Sequence, residues 1–144
     1  MGINDKLRFE CIHCSNCCTD LNTLVNTTYI DVLRIKNGLD LTIDEVIEIL
    51  GFYVFDQAPS SNEIGRMVVP PIQTEQGMAF IGLKKNQTGQ CFFYDSVNER
   101  CSIYAFRPGF CRTFPFTFTI VKDKNKGRSE INIFYTEKSI QYCR

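Results

Sequence analysis

Apolar positions recur at helical spacing twice in the first third of the chain. In TTYIDVLRIKNG, residues 27–38, Ile30, Val32, Leu33 and Ile35 fall near one face, with Asp31 in the first turn and Gly38 as the expected stop. In LTIDEVIEILG, residues 41–51, the stripe is Ile43, Val46, Ile47 and Leu50. Thr42 is placed to cap that helix, Glu45 completes a capping box three residues on, and Gly51 is expected to end it. QAPSSNEIGR, residues 57–66, reads as a loop from its Pro, Ser and Asn content. After it the apolar pattern shortens to strand-like runs: RMVVP (66–70), MAFIGLK (78–84), CFFYD (91–95), FPFTFTIVKD (114–123) and EINIFYTE (130–137). KDKNKGRSE supplies a polar hairpin turn between the last two. Phe114, Phe116, Phe118 and Ile120 alternate along the fourth run, which predicts one buried face. The pattern describes a small, irregular α+β domain spanning residues 1–144: a Cys-rich entry, a helical pair, then antiparallel strands and hairpins.

Composition narrows the function classes. With 44% hydrophobic and 22% charged residues the balance is globular. Sixteen basic side chains offset sixteen acidic ones, so no broad basic face is implied. No nucleic acid partner is expected, and the two short helices joined by GLDL read as packing helices rather than a DNA-reading pair. No apolar run is long enough to span a bilayer. MGINDKLRFE lacks the basic and apolar regions of an export signal, and Lys6 stands where a myristoylation site wants Ser or Thr. The expected setting is cytoplasmic, without a membrane.

Eight cysteines in 144 residues change the picture. Disulfides need an oxidising compartment, and the adjacent Cys17 and Cys18 are poorly placed to bond each other. Metal binding by thiolates is the stronger reading. FECIHCSNCC, residues 9–18, packs Cys11, Cys14, Cys17 and Cys18 into eight positions. As a helix it would bring Cys11, Cys14 and Cys18 within about 60° of one another; as an irregular loop it would point Cys17 and Cys18 apart. Either form offers three sulfurs to one centre. Cys91 and Cys101 flank a turn at Asp95–Asn98, and the Pro108–Gly109 turn delivers Cys111; Cys143 comes last. Eight sulfurs would make two four-cysteine centres, with no partition evident. Four thiolates suit zinc and iron–sulfur clusters alike, but the Cys-x2-Cys-x2-Cys run is a cubane-cluster spacing. This favours an iron–sulfur cluster, [4Fe–4S], over Zn2+. His13, the single histidine, reads as an exposed spacer within the run. Lys6, Arg8, Arg100, Arg107, Arg112 and Arg144 lie within a few positions of a cysteine, where balancing thiolate charge is one use for them and solvated surface charge, the expected use of Lys6 and Arg8, is the other.

FECIHCSNCC at 9–18, DVLRIKNGL at 31–39, CFFYDSVNERCSIYAFRPGFCRTFPF at 91–116 and Cys143 together resemble the CxxCxxCC, or YkgJ-type, cysteine-cluster family of zinc- or iron-chelating domain proteins. The resemblance implies chelation by those eight cysteines. Pro108 and Pro115 would fix the backbone around Cys111, and Tyr104 and Phe114 would pack around the site. A structural ion pair is the expected use of Arg107 and Arg112. The expected role is a structural or electron-carrying centre acting with a protein partner. The alternatives are a metal-dependent enzyme modifying protein side chains, as in the flagellin lysine methylase group with its similar cluster, or a purely structural zinc module.

Overall fold

The computed structural model of the protein describes residues 10–65, 67, 69–123 and 127–136. Cys143 and the basic residues Lys6, Arg8 and Arg144 lie outside them. The architecture is a small, irregular α+β domain with three separate antiparallel sheets. No helix among the described residues is long and apolar enough to cross a membrane.

Capping boxes start three of the helices. Thr28 caps α2 (Tyr29–Leu39) and Thr42 caps α3 (Ile43–Ile49), each accepting the N–H of the acidic residue three positions on. Ser60 and Glu63 do the same for a short α4 (Ser61–Ile64), which corrects the loop reading of 57–66. A one-turn helix, α1 (Asn16–Thr19), precedes them. Gly38 does not end α2, which runs on to Leu39 and stops at Asp40, in the left-handed region with φ 52°. Gly38 serves packing instead: a Cβ there would come within 2.8 Å of the Phe106 ring.

The largest sheet has the order β1-β3-β2, with β1 at Leu50–Val54, β2 at Ile72–Thr74 and β3 at Gly77–Leu83. β1 has no break before it, because Leu50 both closes α3 and opens the strand opposite Leu83. Gly51 therefore continues the chain as strand, opposite Gly82. Strand β2 lies after the expected RMVVP run, whose described residues form no strand. The segment at Val25–Thr27 joins the same sheet, since Leu83 N–H donates to Val25 O at 2.9 Å and Thr27 N–H to Ile81 O at 3.1 Å. Gly82 permits this approach: a Cβ there would stand 2.7 Å from the Val25 carbonyl oxygen. Because the obstacle is backbone, Gly82→Ala is expected to destabilise the fold by about 1–3 kcal/mol, read as a lower urea midpoint at unchanged slope.

Only the end of CFFYD forms a ladder: β4 (Tyr94–Asp95) pairs with β5 (Arg100–Cys101), while Cys91 bridges to Lys85. Phe93 is drawn into the core instead of the ladder. The last element pair is a two-stranded ribbon, β6 (Phe116–Asp123) against β7 (Arg128–Tyr135). Here the expected buried face is corrected. Phe118, Ile120, Ile131 and Ile133 are all exposed, and only Phe114 and Phe116 near the base of the ribbon are half-buried. Alternation gives two faces, but burial needs a covering layer, and none packs on this ribbon among the described residues.

Val25, Ile35, Ile49, Leu83, Phe93 and Ile103 form the core. Cys91, Cys101 and Cys111 pack against its edge, so three thiols border the core.

Candidate metal centre

Four stretches of chain deliver thiols to one place. The single turn of α1 holds Cys17 and Cys18, half-buried and next to each other with sulfurs 4.0 Å apart. The loop after β3 brings Cys91, strand β5 brings Cys101, and α5 (Gly109–Thr113) brings Cys111. All five line a single cavity of about 70 Å3, walled by Val25, Leu83, Ile103, Pro108 and Phe114. A water needs only about 10–15 Å3 of such space, so the sulfurs surround room for something larger. Cys11 also lines the cavity but is exposed. Cys14 is exposed and is not part of the wall.

The thiols act on one another's protons. Cys18 keeps its proton strongly, because its S–H is shared first with Cys101 and then with Cys17. Those two accept it and are lowered to about 7. Burial pushes Cys91 and Cys111 up, and for Cys111 the charges of Cys91, Cys17 and Cys101 add to burial. The Arg107 guanidinium works the other way on Cys101 and Cys111. A cation entering the cavity would displace protons from thiols that repel one another when ionised, which is the donor chemistry that zinc and iron select. Among the described residues no group of three His, Cys, Asp or Glu side chains already stands in position around an ion. The sulfurs face a common space without yet closing on a point.

Long-range tethers hold three of the four stretches together. Cys91 N–H donates to Cys18 O at 2.9 Å. Ser15 Oγ donates to Glu99 O at 2.8 Å, tying the Cys-rich segment to the β4–β5 turn. Lys85 Nζ donates to Asp20 O at 2.7 Å and Leu21 O at 3.1 Å, just after α1. None of these pairings carries a sequence signal, because each spans 64 residues or more and ends on a backbone carbonyl. Lys85→Met keeps the stem and deletes the ammonium. It is expected to cost roughly 1–3 kcal/mol in thermal unfolding. Competition titration with a chelator should show about tenfold weaker metal binding, as for other residues that orient ligands.

A family model described as "Putative zinc- or iron-chelating domain" matches residues 10–144. The chain belongs to the CxxCxxCC family. It is also similar to a protein of Methanocaldococcus jannaschii named "Uncharacterized protein MJ0661", at 25% identity over 139 residues, which is 96% of this chain. The match spans 58% of that relative's length. No solved structure matches the chain.

Of the eight cysteines in this CxxCxxCC chain, the fold gathers Cys17, Cys18, Cys91, Cys101 and Cys111, leaves Cys11 exposed at the rim and keeps Cys14 out of the cavity wall. Cys143 lies beyond the described residues. His13 is exposed, with its ring 4.5 Å from that of Tyr104 at the cavity edge. Tyr104 and Phe114 both line the cavity. The arginines depart from expectation: neither Arg107 nor Arg112 makes an ion pair among the described residues. Arg107 instead lies over the Tyr104 ring at 3.8 Å and donates to the Tyr104 carbonyl at 2.7 Å, which leaves its charge free to act on the thiols. Arg112 is exposed.

Proposed function

We propose that this chain is a metal-binding protein whose centre is held by Cys17, Cys18, Cys101 and Cys111, with Cys91 beside them. Its cargo is an iron–sulfur cluster in preference to zinc. The observation that carries this reading is the gathering of five thiols from four stretches of chain around one cavity. Cys11, at the rim of the cavity, and Cys143 are candidates for a further donor. The preference for a cluster comes from the Cys-x2-Cys-x2-Cys spacing, of which the cavity takes Cys17 and, at its rim, Cys11. The backbone between the cysteines of that run favours a cluster too: His13 and Ser15 are left-handed, φ 56° and 61°, a conformation of the kind that turns backbone N–H groups toward anionic centres.

When bound, such a cluster supplies one-electron transfer, whereas zinc supplies a cross-link. The chain's own part is to hold the sulfurs, shield them with Ile103, Phe114 and Pro108, and offset their charge with Arg107. The role that follows is structural or electron-carrying, exercised with a protein partner in the cytoplasm.

Purification without oxygen, a visible spectrum, and joint assay of iron, zinc and acid-labile sulfide test the reading. Brown protein with iron and sulfide in comparable amounts is expected. Colourless protein with bound zinc would replace the cluster by a scaffold metal. Protein that takes up neither iron nor zinc under reducing conditions would overturn the proposal.

A further inference from the structure

The carboxylate of Asp31 is 4% exposed and lies 80 positions before Cys111 in sequence. Its two oxygens face different parts of the fold. Oδ2 accepts from the Thr28 N–H at 3.0 Å and the Thr28 hydroxyl at 2.9 Å, which closes the capping box of α2. Oδ1 accepts from the N–H of Gly109 at 2.9 Å. Arg34 approaches the same oxygen at 3.9 Å, too far for more than a weak ion pair. Gly109 opens α5, and Cys111 is two residues further along that single turn.

We infer that Asp31 is a positioning residue for the metal centre: through Gly109 it sets where the α5 turn presents the Cys111 sulfur. The inference rests on the reading of Cys111 as a ligand. A buried carboxylate needs its lone pairs satisfied, and α2 alone uses only one of the two oxygens. The second is spent on a backbone N–H in a turn with few other anchors. Around it Pro108 is fully buried and the chain is bracketed by Pro108 and Pro115, so the turn has little freedom except about the contact that Asp31 fixes. Helix capping would be served equally by any acceptor for the Thr28 N–H. The contact to Gly109 is what that explanation leaves over.

The test loads the full chain with cobalt(II) under reducing, oxygen-free conditions and reads thiolate-to-cobalt charge-transfer intensity per bound cobalt. Thr28→Ala weakens the α2 cap but leaves Oδ1 on Gly109. Asp31→Ala removes both contacts. Asp31→Asn keeps an amide oxygen that can face Gly109. The expected result is a loss in Asp31→Ala equal to that in Cys111→Ser, about one thiolate's share. Thr28→Ala should stay unchanged and Asp31→Asn should recover most of the intensity. Full intensity in Asp31→Ala alongside a loss in Cys111→Ser would overturn the inference and leave the metal reading intact. Full intensity in Cys111→Ser would remove Cys111 from the ligand set and the inference with it. Should Asp31→Ala not fold, the native chain decides. Metal loading should then slow hydrogen exchange at the Gly109 amide by at least tenfold more than at the Val46 amide in α3, and equal slowing at both would overturn the inference.

Discussion

Replacing Cys101 with serine is expected to weaken metal binding by ~10²–10³-fold, while Cys14→Ser changes it by less than about threefold. Structural zinc sites with four ligands release about 10–16 kcal/mol on binding, or about 2.5–4 kcal/mol per ligand, which sets the first figure. Surface substitutions generally stay within about 0.5 kcal/mol, which sets the second. Cys101 is chosen because it sits on a paired strand, packs against the core and accepts the proton of Cys18. Serine matches its size but offers a hard oxygen that ionises only far above neutrality. Cys14 belongs to the Cys-x2-Cys-x2-Cys run, as Cys101 does not, but stands outside the cavity wall. Competition with a chromophoric chelator measures both. Equal losses in the two variants would mean that the motif, not the cavity, marks the site.

Metal removal should lower the thermal midpoint by roughly 8–16 °C. A metal present at about a thousand times its dissociation constant adds about 4 kcal/mol, and a domain of this size shifts by about 2–4 °C per kcal/mol. The domain is poised to show the effect in full. Its contiguous core among the described residues is six side chains, and three of the thiols pack directly against them. Differential scanning calorimetry with and without a strong chelator gives the shift. In Cys101→Ser the difference should shrink to a few degrees; an undiminished difference would place the metal elsewhere.

What could be read from sequence was local. The Thr42–Glu45 box marks α3 because both partners lie within one turn. Asp95 marks its turn because its carboxylate takes the N–H groups of Val97 and Asn98, two and three residues on. The spacing of the cysteines announced their chemistry for the same reason. Strand β1 was hidden by its seam with α3, where Leu50 belongs to the apolar stripe of the helix and to the ladder at once. The face of Phe118 and Ile120 was misread because alternation sorts side chains into two sets without saying which set is covered. At the site, Asp31 looked like an ordinary first-turn acid, and its bond to Gly109 crosses 78 residues. The absence of Cys14 from the cavity wall likewise has no marker, since the left-handed residues on either side of it, His13 and Ser15, are neither glycine nor asparagine.

Those long spans have a temporal consequence. Cys111 is polymerised 93 residues after Cys18. At about 5–20 residues per second, the first thiols are made roughly 5–20 s before the last member of the gathered set. The four early cysteines therefore meet the cell as a flexible cluster of thiols, long before the pocket that will orient them has closed. Delivery of the correct metal is then governed by the order of synthesis and by what the nascent chain meets first, as much as by the affinity of the finished centre.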